Sequence, residues 1–552
     1  MRRFAIAIFL LLTSIVSSSQ NFNFTPIVRN FSTADYGSSR QNWSLTQGHD
    51  GVIYVGNNTC LLEYDNSVWS RHMLPGKELV RAVHFSPDGK IYCGAYHEFG
   101  YFEKIDDSLI YNSISDLVPE LVEDHDEVWN ITTDPYTGKV IIQTLTSLFT
   151  YDGETVTVVR DLNPLNILKV GKVLYSQVID GDFVMLQEGA EVKVVVPKEK
   201  NIGQVTAAFE HDGGLLLLTE TKGCFLFKEG EVSPWRAGAG ALLKEHQVYW
   251  AVDTPDGRYI IGTLSGGIFS IASDGSLEWM IDVSGGLQNN TVLALLCDYS
   301  GNIWVALDDG ISYIDRMAGV YVYRPQNHYI GMIYDMLIDG NDTYLATNQG
   351  LYLSSDGSGL KRVSGLDEQT WFIEKINSTI YCGYNVGVFS IKDHQAELVS
   401  EEGGGTFCIR KIAHKDFTFI LAGTYNMPCL YKENGNDEWE YHPTFENNLQ
   451  MLRNMEYDGQ GNVWGEHFKS GLVRLSLSPD FRRVTEEMKY STLGEVSDTV
   501  FNVMNINGRV VFTNGRRFFT YESVHDEIVP YEVMNRDLNE LKNVHQAVHV
   551  KD

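Results

Sequence analysis

From about residue 24 onward, short apolar runs alternate with clusters of Gly and Asp. The pattern is clearest at 290–315, NTVLALLCDYSGNIWVALDDGISYID, which predicts three strands. Residues 292–297 are apolar, Asp298, Ser300 and Gly301 turn the chain, 303–307 are apolar again, and Asp308, Asp309 and Gly310 turn it once more into 311–314. Strand-length runs of β-branched and aromatic residues between Gly/Asp clusters predict antiparallel hairpins. The pattern recurs at 81–104, 247–275, 332–357 and 452–475. Weaker copies start near Asn42, Val128, Gln204, Thr370, Phe407 and Thr499, and one near Leu168 aligns poorly. Roughly a dozen copies spaced by about 40 residues, with a fourth and least legible strand in each, are the signature of β-propeller blades.

The repeat N-x-V-x-x-[apolar]-x-x-D-x-x-G-x-I-W-x-[GA]-x-x-x-G-[apolar]-x-x-[apolar]-D resembles the two-component-regulator propeller repeat. The opening from Phe24 to Phe102, with FTPIVRNFSTADYGSSRQNW, IYVGNNTCLLEYDNSVW and GAYHEFGYF, is similar to the start of family members that end in a helix-turn-helix domain. The resemblance covers nearly all of the chain after its first 20 residues. It implies the extracytoplasmic sensor region of a membrane-bound regulator of Bacteroidetes type. Such proteins continue into a small β-sandwich, a membrane helix and a cytoplasmic histidine kinase or DNA-binding output.

The expected fold is all-β, with tandem seven-bladed propellers of which the second is incomplete. Residues 1–20 read as a signal peptide: Arg2 and Arg3, an apolar core over 4–16, then Ser17, Ser18 and Ser19. That apolar core is too short to span a bilayer comfortably. Residues 21–325 hold seven copies and form the first propeller. Residues 326–552 hold about five and a half, and 543–552 read as the start of a sixth. The chain is therefore expected to be an exported fragment, its membrane attachment lying in a missing carboxyl-terminal segment. The strand at 26–31 is expected to close one of the rings by completing its last blade, and the pattern does not say which.

The formal charge of −29 and the lack of any basic run argue against nucleic-acid binding by this part. Abundant Gly (50), Tyr (29) and Phe (26) with only 14 Pro fit a turn-rich β protein rather than a disordered one. Seven cysteines, an odd number with no C-x-x-C, are read mostly as core residues. The Asp-Gly turns at 256–257, 308–310 and 458–461 match tight-turn chemistry, with no calcium loop closed by a Glu. His97-Glu98 and Glu466-His467 do not extend to H-E-x-x-H, and neither a G-x-S-x-G elbow nor a Walker loop occurs. The sialidase turn is not matched either, because Ser86-Pro87-Asp88-Gly89 places its Gly one position early. No cofactor, metal or catalytic residue is assigned. A secreted carbohydrate-active lyase or glycosidase is the alternative, and an adhesion or scaffold propeller the third reading.

Strand order places a candidate site. Starts of first strands and the turns after second strands share one rim of a propeller, and D-x-x-G turns share the other. The first rim varies most among the copies. In the first ring it carries Trp43, Arg81, Tyr96, His97, Glu98 and Trp129, and in the second Trp371, Tyr425, Asn426, Arg453, Glu466 and His467. Aromatic faces with a few polar groups suit a carbohydrate or another small polar ligand; the alternative, stronger for any one residue than for the rim as a whole, is that Trp and Tyr there pack between blades. The expected function is ligand sensing on the periplasmic side of the inner membrane, with ligand shifting the pose of the two propellers. A homodimer is compatible with that scheme.

Overall fold

The computed structural model describes residues 24–538 except 78, 107, 119–126, 161, 188–191, 324–329, 356–357, 436–437, 468 and 495–500. The expected signal peptide and the strand start expected at 543–552 lie outside the described residues. Asn23–Gln326 forms one compact unit and Asn327–Asp552 the body of another. Among the described residues no helix is long and apolar enough to cross a membrane.

The first unit contains seven antiparallel sheets. Their first strands are Asn42–Gln47, Ala82–Phe85, Val128–Thr133, Leu168–Val170, Val205–His211, Val248–Asp253 and Val292–Cys297. Six sheets are simple four-stranded meanders. The seventh runs Val292–Cys297, Ile303–Leu307, Ile311–Asp315, then Phe24–Phe31 and Tyr321–Tyr323. Its fourth strand thus comes from the other end of the unit, with Ile27 opposite Asp315 and Phe31 opposite Ile311. The amino-terminal strand therefore closes the ring of the first unit. Closing the last blade with the first strand of the unit ties the two ends of the ring together, and the only sheet edges left are the short outer strands of the blades.

Each pair of neighbouring sheets buries its own apolar cluster. Phe31, Val55, Leu62 and Trp304 join the seventh to the first, and Ile261, Phe269 and Leu216 join the fifth to the sixth. The small residue of the repeat explains how closely the blades approach. Gly56, Gly94 and Gly262 lie at or one residue before the ends of their second strands, and a Cβ on any of them would press into the following blade, at Val80, Val128 and Val292. Only glycine lets a neighbouring first strand come that near.

Among the described residues the second unit shows five four-stranded meanders, with first strands Ile333–Asp339, Thr370–Ile376, Thr406–His414, Arg453–Tyr457 and Asn502–Ile506. A short helix, Glu532–Asp537, follows the fifth sheet and packs Met534 over Met504, Val511 and Phe518. The Asn535 side chain completes this edge: its Oδ1 accepts from Phe518 N and its Nδ2 donates to Phe518 O, both at 2.8 Å.

One irregularity recurs in both units. The first strands of the first, third, fifth, sixth and seventh sheets slip register by one residue near their start, skipping Trp43, Trp129, Thr206, Tyr249 and Leu293. In the second unit the same slip skips Tyr334, Trp371 and Phe407. These are β-bulges, which twist a strand locally and re-aim one side chain.

Candidate ligand-binding site

All five bulged residues of the first unit line one cavity of about 910 Å³. That volume suits a drug-sized or oligosaccharide ligand. Its most distinctive feature is an arginine between two indoles. The Arg81 guanidinium carbon lies 3.6 Å from the Trp43 ring centroid and 4.6 Å from that of Trp129. Arg81 Nε and Nη2 both donate to Glu127 Oε1, at 2.8 and 2.6 Å. The planar guanidinium is thereby gripped on its faces by cation–π contacts and on one edge by a carboxylate. Its remaining nitrogen, Nη1, is buried without a hydrogen-bond partner. Tyr249 shares the cavity, its phenol pushed up by burial, with the positive charge of Arg81 opposing that shift. Lys169, Glu210, Glu220 and Asp253 complete the charged lining.

The other expected residues of this rim are placed differently. Tyr96 is 40 % exposed, its ring 4.1 Å from that of His97, and its backbone bridges to Glu127. His97 holds a left-handed backbone, φ 57°. Glu98 turns into its own blade: its carboxylate accepts hydroxyl hydrogen bonds from Tyr111, Ser113 and Ser115, each 2.8 Å long. None of these three lines the cavity.

In the second unit, Trp371 lies in a row of rings. Centroid separations are 4.9 Å from Tyr334 to Trp371, 5.2 Å from Trp371 to Phe407 and 4.8 Å from Phe407 to Tyr425. Trp371 Nε1 donates to Tyr425 Oη at 2.7 Å, and that hydroxyl donates to Asn385 Oδ1 at 2.9 Å. Arg453 stands over Phe407 at 4.7 Å. Asn426 is exposed beside this row. Glu466 lies opposite Arg453 in the strand register and accepts from Asn454 at 2.8 Å. His467 Nδ1 accepts from the backbone of Lys469 and Ser470, and burial pushes its imidazole pKa down. Trp371, Tyr425 and Arg453 thus come together, while Glu466 and His467 are engaged in local turn contacts.

Sequence reasoning passed over Thr206, Tyr249, Leu293, Tyr334 and Phe407, which occupy the same bulged position as Trp43, Trp129 and Trp371. It also passed over Gln143. Opposite the residue that follows the bulge, other blades carry Gly56, Gly262, Ala306 and Gly383, the fifth carries Leu218, and the third alone of these carries a polar residue, Gln143. A large amide in the slot of the repeat's small residue was the available signal. Among the described residues no cluster of His, Cys, Asp and Glu could hold a metal ion.

Radially arranged four-stranded sheets, one set closed by a strand from the opposite end of the unit, make this a β-propeller protein. More particularly, the model of the two component regulator propeller matches residues 286–309, the stretch in which the repeat is most regular. The fold is similar to that of the extracellular domain assigned to a hybrid two component system, BT3049, of B. thetaiotaomicron. That likeness has a TM-score of 0.67 at 14% identity and covers 92% of this chain and 73% of the other. The extracellular domain assigned to the one component system BT4673 of the same organism overlaps with a TM-score of 0.40 at 13% identity, over 93% and 74% of the two chains. A streptogramin B lyase overlaps with a TM-score of 0.43 at 13% identity, over 54% and 99%. Comparison with curated proteins finds no match.

Proposed function

We propose that this chain is the exported, ligand-sensing part of a membrane-bound bacterial signal-transduction regulator. In this reading it responds to a carbohydrate or other small polar ligand bound in the cavity of the first unit. The observation that carries the reading is Arg81, held between Trp43 and Trp129 at the wall of a cavity of about 910 Å³. Indole faces offer stacking surface, and a fixed guanidinium edge offers directed donors. The two component regulator propeller match and the likeness to an extracellular sensor fold support the same role. Attachment to the membrane, a kinase or DNA-binding output and homodimerisation belong to the parent protein in this scheme.

The test is calorimetry and thermal shift against an oligosaccharide panel. A ligand present at about 100 times its Kd stabilises the unit that binds it by about 2.7 kcal/mol. Saturable stabilisation without new reducing ends or unsaturated products, lost in Trp43→Ala and Trp129→Ala, supports sensing. Turnover of the sugar in the same samples would establish the enzyme reading instead.

A further inference from the structure

The two units seat an arginine at the same point of the repeat and use it differently. A Cβ on Gly56 would meet the backbone oxygen of Val80, and a Cβ on Gly423 that of Leu452. Arg81 follows the first of these residues and Arg453 the second. Arg81 is spent: Glu127 takes two of its nitrogens, and its side chain is only 12 % exposed. Arg453 is exposed, and among the described residues its guanidinium has neither a hydrogen-bond nor an ion-pair partner. Glu466, opposite it in the strand register, accepts from Asn454 instead.

What holds Arg453 is a set of rings. Its guanidinium carbon lies 4.7 Å from the Phe407 centroid and 5.9 Å from that of Trp371. A cation–π contact takes the face of the group and leaves its N–H edges to another partner. The rings are themselves fixed, since Trp371 Nε1 donates to Tyr425 Oη and that hydroxyl donates to Asn385. They are also reachable. Tyr334, at the end of the row, is 37 % exposed, Trp371, Phe407 and Tyr425 are partly exposed, and Asn426 beside them is exposed. A chain with a formal charge of −29 has carboxylates in excess, yet this arginine is left unmatched.

A charged fork held by its face selects an acceptor of opposite charge. A carboxylate is planar and takes two parallel N–H···O bonds from such a fork. Exposed aromatic carbon beside it suits the C–H face of a sugar ring. We infer that the second unit carries a ligand site of its own, formed by Tyr334, Trp371, Phe407 and Arg453, and that its ligand is an acidic oligosaccharide of the uronate class. A uronate carboxylate pairs with Arg453, and an adjoining sugar ring lies on the aromatic row. The site stands whether or not the first unit's cavity binds a ligand.

The experiment is isothermal calorimetry on the full chain with tetragalacturonate, tetramannuronate and the methyl ester of each. Esterification removes the charge and keeps the sugar. Saturable binding of at least one uronate, with its ester tenfold weaker or silent, is the expected result. Arg453→Gln is expected to weaken that uronate about tenfold or more, the worth of a hydrogen bond to a charged group. Trp43→Ala is expected to leave it unchanged. The comparison of acid with ester on the unaltered chain decides the role of the charge even where a variant fails to fold. Equal affinity for acid and ester, or unchanged affinity in Arg453→Gln, overturns the inference. Uronate binding lost in Trp43→Ala but kept in Arg453→Gln overturns it as well, and assigns the ligand to the first unit's cavity. No binding by either uronate overturns it and leaves the cavity reading as it was.

Discussion

The rings of Phe31 and Trp304 stack with an interplanar angle of 12° and centroids 5.7 Å apart, although the two residues lie at opposite ends of the first unit. Phe31 also packs edge-on against Trp69 and beside Tyr64, both at 5.4 Å. The contact locks the closing strand to the seventh and first blades together. Phe31→Ala should destabilise the first unit by about 3–5 kcal/mol, as expected for a buried aromatic truncated in a packed core. Urea unfolding followed by tryptophan fluorescence measures it. A loss below about 1 kcal/mol would mean that the strand contributes little to ring closure.

The blade spacing makes a second expectation. Gly94 and Gly262 have ordinary backbone angles, so an added methyl is resisted by packing alone, foremost against Val128 and Val292. Gly94→Ala and Gly262→Ala should each cost about 1–3 kcal/mol, the usual penalty for overfilling a core. Pairing Gly94→Ala with Val128→Ala should recover part of the loss, as a double-mutant cycle would show.

Acid should act with opposite signs through His84 and through three buried carboxylates of the second unit. Burial first, then the nearby Lys169, pushes His84 down to about 4. Its unfolded form binds a proton near pH 6.5, so the stability contributed by neutral His84 is present above that pH and is lost as pH falls toward 4. In the second unit Asp335, Glu374 and Glu456 all titrate above their usual values, chiefly through burial, with Arg410 opposing the shift. Their folded pKa values exceed the unfolded ones, so the stability they confer is complete in acid and declines as pH rises through the raised values. Melting curves of His84→Gln against the unaltered chain between pH 7 and 4 should converge as pH falls, isolating the histidine. Parallel curves would refute its role.

The seven cysteines should be slow to react in the native chain. All are free thiols, and six are buried. Cys297 is only half-buried, but burial foremost raises its thiol to about 11, leaving little thiolate at neutral pH. Thiol titration should count seven groups after denaturation and at most one at a measurable rate before it. Reducing agent should leave the melting temperature unchanged.

The blades were legible because each repeats the same physical demands. Asp298 shows why the turn is conspicuous: its Oδ1 accepts from both Ser300 N and Asn302 N at 2.9 Å, so the D-x-x-G sequence encodes its own hydrogen bonds. The small residue late in the second strand was visible for a similar reason, since Gly262 answers to Val292. The rim was legible only in part. Trp43, Arg81 and Trp129 stood out as large side chains at strand starts, and the structure brings them into contact. Thr206 and Leu293 occupy the same bulged position with unremarkable side chains, and a one-residue register slip leaves no local composition signal. Glu98 looked like a rim carboxylate because a turn residue's direction depends on the backbone angles around it. Three hydroxyls of its own blade draw it inward instead. Which ring the amino-terminal strand closes depended on pairing between residues nearly 300 positions apart, beyond the reach of any local pattern.

The skipped residues also separate two kinds of selection. A side chain in the ladder must fit the pleat and the neighbouring blade at once. One that has dropped out of register is released from the first of these, and tryptophan, threonine, tyrosine and leucine all stand at that position within a single ring. One repeated frame therefore carries side chains of very different size and polarity at the same point of every such blade.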